Sequence, residues 1–181
     1  MLRPTLTRSL AKVARPTRLF STTPRPLQSI PLSITGTGTG TQQHITIADK
    51  SYTISTDTYT TLGGQDSQPS PVSYSLASLS SCNQVTGNVV AKNHGIKLGK
   101  WHVTVDALLP TAVLVKGEQG NPNWESVKLK ARVQTDIPEG EKGKEKFQFF
   151  VEEVERRCPI TQLFKLSGVR FESEWVNEKL E

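Results

Sequence analysis

Cysteine is scarce: Cys82 and Cys158 are the only two in 181 residues. Two thiols cannot complete a four-ligand zinc centre, and His44, His94 and His102 stand at no ligand spacing with them or with one another. No metal and no other cofactor is therefore expected. Long apolar runs are missing too. None approaches the roughly 18 residues that a membrane-spanning helix needs, so no membrane insertion is expected. Acid is missing from the whole first part of the chain, where Asp49 is the earliest carboxylate.

That last absence locates the charge. The formal net charge is +5, and the first twenty residues supply Arg3, Arg8, Lys12, Arg15 and Arg18. With those five set aside, 17 bases face 17 acids. The remainder is neutral, and it carries no nucleic-acid recognition motif. Binding of nucleic acid through Lys92, Lys97, Lys100, Lys128, Lys130 and Arg132 is thus the weakest class, and no nucleic-acid partner is expected.

The basic start is also rich in Ser and Thr. Leu2, Leu6, Leu10, Val13 and Leu19 fall near helical spacing with the arginines opposite. This is the composition of a mitochondrial transit peptide, residues 1–20, with "RLFST" as a processing site between Phe20 and Ser21. A disordered basic tail is the plainer alternative. Residues 21–29 read as a Pro-containing linker and 30–181 as a single domain. The address is then the mitochondrial matrix, where thiols stay reduced and a static disulfide is not expected.

Within the domain, "SITGTGTGTQQHITI" and "KSYTISTDT" alternate with period two and predict strands, "TGTGTGT" forming an edge or first strand and "ADK" a tight turn. "LGGQDSQPSP" is a loop, and Asp57 before it and Asp66 within it flank Gly63-Gly64. Ser70 as N-cap, Pro71 at the first position and Gly95 as the stop predict a helix from 71 to 94. Val72, Leu76, Leu79, Val85 and Val89 make its apolar stripe, with Cys82 inward on it. "KWHVTVDALL" and "WESVKLKARVQTD" alternate cleanly and predict an antiparallel pair. Phe147, Phe150, Val151 and Val154 predict a second helix with Cys158 on the same stripe, interrupted at Pro159. "VRFESEWV" is the final strand. The class is α+β, antiparallel sheet packed on two helices.

Two readings of the thiols stand side by side. Free cysteine behaves as a small buried hydrophobe. If the two helices pack together, however, the thiols meet, and one can be oxidised to a sulfenic acid that the other condenses with. Asn83 and Gln84, next to Cys82, are candidates for hydrogen bonds to its sulfur.

The segments "GGQDSQPSPVSYSLASLSSC", "GIKL" and "RRCPITQLF" resemble the OsmC/Ohr family over residues 30–176. There a Gly-Gly loop leads to a proline, then a helix with a cysteine eleven residues on, and a second cysteine precedes a proline after another helix. Pro71, Cys82, Cys158 and Pro159 hold those places. The resemblance implies an intertwined homodimer, with sheets wrapped on two central helices. It also implies a thiol-dependent peroxidase for organic hydroperoxides in oxidative stress defence, with Cys82 attacking, Cys158 resolving and an external thiol reductant. The alternative is a non-catalytic dimer of the same fold that binds a small apolar ligand or a partner protein. Active members set an arginine and a glutamate beside the first cysteine. Here Val72 occupies the glutamate's place, and Lys50 is the one Lys or Arg between Ser29 and Ala91. Arg156, Arg157 and Arg170 are the remaining candidate cations, the first two also reading as helix charges that balance "EEVE".

Overall fold

The computed structural model describes residues 29–181. Residues 1–20, expected as a transit peptide, and residues 21–28 of the expected linker lie outside the described residues. Ile34–Glu181 form one compact unit.

Three short strands open it: β1 (Ile34–Thr39), β2 (Gln42–Ile47) and β3 (Thr53–Thr56), antiparallel in the order β1-β2-β3. The "TGTGTGT" stretch forms the expected first, edge strand as far as Thr39, and its last two residues make the turn. Thr39 pairs with Gln42, so Gly40 and Thr41 form a two-residue hairpin loop, and Gly40 takes φ 63°, which costs a residue without Cβ nothing. Every residue of β1 is exposed.

Helix α1 (Pro71–His94) has the expected bounds. The Ser70 hydroxyl accepts the Ser73 N–H at 3.2 Å, Pro71 occupies the first turn, where its missing N–H is no loss, and Gly95 closes the helix at φ 62°. Its inward face differs from the expected stripe. Leu79, Asn83, Thr86, Gly87, Val90 and Ala91 are buried, whereas Val85 and Val89 are 64% and 48% exposed. The reason is tertiary. Gly87 admits the Trp101 ring against the helix backbone, and this fixes the rotation of α1. Polar and small residues therefore face in, and two valines face out.

The second sheet contains β4 (Leu98–Leu108), β5 (Ser126–Thr135) and β6 (Arg170–Lys179), with β5 in the middle. β4 and β5 are antiparallel as expected, but β5 and β6 run parallel. The chain between them crosses one face of the sheet as α3 (Glu141–Arg157) and α4 (Pro159–Leu166), and a crossover of that length brings the next strand back in the same direction. A short helix α2 (Ala112–Lys116), not anticipated, interrupts the β4–β5 connection. The inner face of β5 supplies Val127, Leu129, Ala131 and Val133 to a core shared with Leu79 and Phe164. Val90, Ile137, Phe150 and Val154 form a second cluster, and Trp101 and Trp175 pack against both. On the outer face Lys128 meets Glu174 at 3.8 Å, Lys130 meets Asp106 at 4.0 Å and the Arg132 Nε meets Glu178 at 2.6 Å. Each outward base of β5 thus faces an acid.

Among the described residues, no helix is long and apolar enough to cross a membrane, and no cluster of His, Cys, Asp and Glu could hold a metal ion.

Candidate functional site

The two cysteines arrive by different local rules. Cys82 rides on α1 beside its buried face and is half-buried. Cys158 sits at the break between α3 and α4. Pro159 has no N–H to give to the preceding turn, so α3 ends, and Cys158 adopts extended backbone at φ −76°, ψ 112°. Its own N–H still closes α3 on Val154 O at 2.9 Å, while its Sγ accepts the Thr161 N–H at 3.4 Å and caps α4. Cys158 is fully buried.

The helices do pack together and bring the two free thiols to one place: Asn83, next to Cys82, reaches Thr161 Oγ1 at 3.0 Å, and the Thr161 N–H reaches Cys158 Sγ at 3.4 Å. Burial pushes the Cys82 thiol up, and the adjoining Cys158 thiol adds to that. The Ile160 backbone N–H and the Thr86 hydroxyl act on the same sulfur in the opposite sense. Neither Arg156 nor Arg157 is turned to the thiols. Arg156 forks onto Glu153 at 2.8 and 2.9 Å. Arg157 approaches the same carboxylate at 3.9 Å and reaches the Asn93 side-chain oxygen at 3.1 Å.

Asn83 does not serve the sulfur beside it. Its amide donates to Leu79 O at 2.8 Å and to Thr161 Oγ1 at 3.0 Å, in full burial. Gln84 is exposed, its carbonyl taken by the Asn88 side chain. Thr86, Ile160 and Thr161, which sequence reasoning passed over, complete the surroundings of the two thiols. Their only signal was position: Thr86 one helical turn after Cys82, the other two in the first turn after Cys158.

The loop before α1 is organised by Asp57. Its carboxylate, fully enclosed, accepts from the Thr41 hydroxyl at 2.9 Å, from the N–H groups of Gln65 and Ser67 at 3.0 and 3.1 Å, and from the Ser67 hydroxyl at 2.9 Å. Burial alone would raise its pKa; the hydrogen bonds from Ser67, Thr58 and Thr41 outweigh this and hold the carboxyl well below the usual range. Asp57 also borders a cleft of about 580 Å³, walled by Leu62, Pro71, Val72, Leu109, Leu114 and Val115. Tyr59 stands at its rim, its hydroxyl lowered in pKa by the Ser70 and Ser73 hydroxyls at 3.4 and 3.3 Å. Val72 and Cys82 are ten residues apart on one helix, about 15 Å along its axis. Within one chain the apolar cleft and the thiol pair are separate places.

The family model described as OsmC-like protein matches residues 64–174. No curated protein is matched. Among solved structures, an OsmC-like protein from Mycoplasma pneumoniae superposes with a TM-score of 0.65 at 17% identity, over 83% of this chain and 99% of that one. An organic hydroperoxide resistance protein from Elizabethkingia anophelis gives 0.63 at 21% identity, over 84% and 100%. The organic hydroperoxide resistance protein OhrB of Bacillus subtilis gives 0.53 at 17%, over 81% and 98%. At these identities the likeness carries the fold: two sheets and four helices in the same arrangement.

Proposed function

Since the chain belongs to the OsmC-like protein family, we propose that it is a thiol-dependent peroxidase that reduces organic hydroperoxides with Cys82 and Cys158. The observation that carries this reading is the convergence on one place of two free thiols 76 positions apart in sequence, Asn83 beside Cys82 holding Thr161 and Thr161 holding Cys158 Sγ. A filler role would be met by any small apolar side chain at either place.

The chemistry balances as follows. The Cys82 thiolate attacks the terminal oxygen of the hydroperoxide and the O–O bond breaks. The alkoxide leaves, takes a proton and departs as the alcohol, and Cys82 is left as a sulfenic acid. The Cys158 thiol then attacks that sulfur. The S–S bond forms, and the sulfenic oxygen leaves as water with the Cys158 proton. Two electrons from an external dithiol restore both thiols. Cys82 takes the first step because it is the half-buried thiol, whereas Cys158 is closed to solvent. The substrate class is lent by the neighbours named for organic hydroperoxide resistance. In line with the composition of residues 1–20, the protein acts in the mitochondrial matrix, a location that fractionation of cells with and without that segment checks.

Reduced protein treated with one equivalent of cumene hydroperoxide should lose both thiols within minutes and yield a Cys82–Cys158 disulfide by mass spectrometry. Cys82→Ser should abolish the reaction. Cys158→Ser should leave a Cys82 sulfenic acid that a dimedone probe traps. Thiols that survive for hours would sink the peroxidase reading. The second reading would then stand: a non-catalytic dimer with a ligand site. The upward push on the Cys82 thiol and the apolar cleft at the start of α1 favour that alternative.

A further inference from the structure

We propose that Asn83 and Thr161 form a buried positioning clamp that ties the first turn of α4 to α1 and so holds the Thr161 N–H on Cys158 Sγ and the Ile160 N–H beside Cys82. The proposal rests on the reading of the thiols as a redox pair.

An asparagine in the middle of a 24-residue helix is a poor helix former, and burying its amide costs free energy unless every group is met. Here every group is met, and one partner is on another element. The Asn83 amide donates to Thr161 Oγ1 at 3.0 Å, and the Thr161 hydroxyl donates back to Asn83 Oδ1 at 3.2 Å. The second amide hydrogen returns to Leu79 O on its own helix at 2.8 Å, which fixes the rotamer. Asn83 and Thr161 are 1% and 0% exposed, so water cannot substitute for either.

The position of the pair gives it a consequence. Asn83 directly follows Cys82. Thr161 is the third residue after Cys158, and its own N–H is the donor on Cys158 Sγ at 3.4 Å. The N–H one residue earlier, that of Ile160, acts on the Cys82 thiol in the sense that favours its thiolate. First-turn N–H groups of a helix have no partner within it and carry the positive end of the helix dipole. That of Ile160 favours negative charge on Cys82, against the larger upward push of burial and of the Cys158 side chain. The clamp decides where these N–H groups point: a short helix that follows a proline break is placed by what it touches, and the Thr161 side chain is what touches α1 beside Cys82. In this chain, with Val72 where active relatives carry a glutamate and with Arg156 and Arg157 turned to Glu153 and Asn93, the Ile160 N–H and the Thr86 hydroxyl are what oppose the burial of the Cys82 thiol.

The test compares Thr161→Val, which removes the hydroxyl at nearly constant shape, with Thr161→Ser, which keeps it. In the reduced full-length chain, the rate of iodoacetamide alkylation at Cys82 is followed by peptide mass spectrometry from about pH 6 to about pH 10. Loss of the clamp should move the midpoint of T161V up by about one pH unit, so that alkylation near neutral pH slows about tenfold. T161S should follow the wild type. If T161V does not fold, Asn83→Ser, whose side chain is too short to span the gap, is measured in its place with the same expectation. A folded T161V or N83S that retains the wild-type midpoint overturns the clamp. The profile needs no peroxide, so the two ideas fail separately. Wild-type thiols that ignore hydroperoxide end the peroxidase reading alone, and an unmoved midpoint beside a normal peroxide-driven disulfide ends the clamp alone.

Discussion

Gly87 carries the rotation of α1 by having no side chain. A Cβ built there would lie 2.4 and 2.6 Å from the Cη2 and Cζ2 atoms of Trp101. That ring cannot simply retreat, since Trp175 stands edge-on to it at 5.9 Å and Phe150 lies at 6.4 Å between centroids. Two effects oppose one another in Gly87→Ala. Helix propensity favours alanine by about 1 kcal/mol. Overpacking against a confined aromatic costs about 1–3 kcal/mol. With the contact this short, packing wins, and G87A should lower the melting temperature by about 2–6 °C. An unchanged or higher value in a thermal scan would mean that Trp101 has room to move. The sequence carried no sign of this contact, because a glycine inside a helical pattern looks the same whether it faces a ring or water. Cys82 and Cys158 could be singled out as candidates for the opposite reason: each lies on or beside an apolar stripe next to a local marker, the Ser70-Pro71 start for one and the Pro159 break for the other. The residues that surround them were not. Asn83 and Thr161 meet across helices, and no local periodicity reports a hydrogen bond between elements 78 positions apart.

Elements are joined at Glu155. Its carboxylate takes the Lys165 ammonium at 2.7 Å, the Trp175 indole N–H at 3.0 Å and the Ser173 hydroxyl, so that α3, α4 and β6 converge on one side chain. Burial would raise its pKa, but the bonds from Lys165, Ser173 and Trp175 outweigh this and lower it. A carboxyl that is more acidic folded than unfolded stabilises the fold fully above its unfolded pKa, about 4.3. That contribution is lost as pH falls through the folded value. Glu155→Gln should therefore be less stable than the wild type at neutral pH, by about 1–2 kcal/mol for charge-assisted bonds to a largely buried acceptor. The gap should narrow below about pH 4. Urea titrations at neutral and acid pH measure both, and a gap that does not change with pH would remove the charge from the explanation. Sequence read "EEVE" as a run of surface acid balanced by Arg156 and Arg157. That holds for Glu153. It misses Glu155, whose partners come from α4 and from the strand that follows it. The caps of α1 were read correctly because Ser70, Pro71 and Gly95 act within a few residues. The parallel direction of β6 escaped because strand direction is fixed by the path of the crossover, which the strand's own alternation does not encode.

On the whole molecule, the apolar side chains left uncovered are not scattered. Val85 and Val89 lie on one side of α1, and Phe149, 46% exposed, projects from α3 near the helix's far end, edge-on to His94 at 5.0 Å. β1, the edge strand of the first sheet, is likewise exposed throughout, with Ile34 open to solvent. Isolated exposed valines need no explanation, but an apolar helix face together with an uncovered edge strand marks a surface for association. We propose that a second copy covers it, in agreement with the intertwined homodimer that the family resemblance implies. A self-complementary contact of this kind loses twice from one substitution, because the changed residue occurs on both sides of the two-fold axis. Val85→Asp combined with Val89→Asp buries four carboxylates in the assembly while leaving the chain's own core untouched. Light scattering on the eluted peak should give twice the chain mass for the wild type and a single chain mass for the double variant, with the far-UV spectrum preserved. A wild type that elutes as a monomer at high micromolar concentration would reject the dimer. Retention of the dimer by the double variant would move the interface away from α1. Either result bears on the thiols, because Val85 is the third residue after Cys82 on the same helix. An interface over Val85 would also set how a hydroperoxide reaches the sulfur.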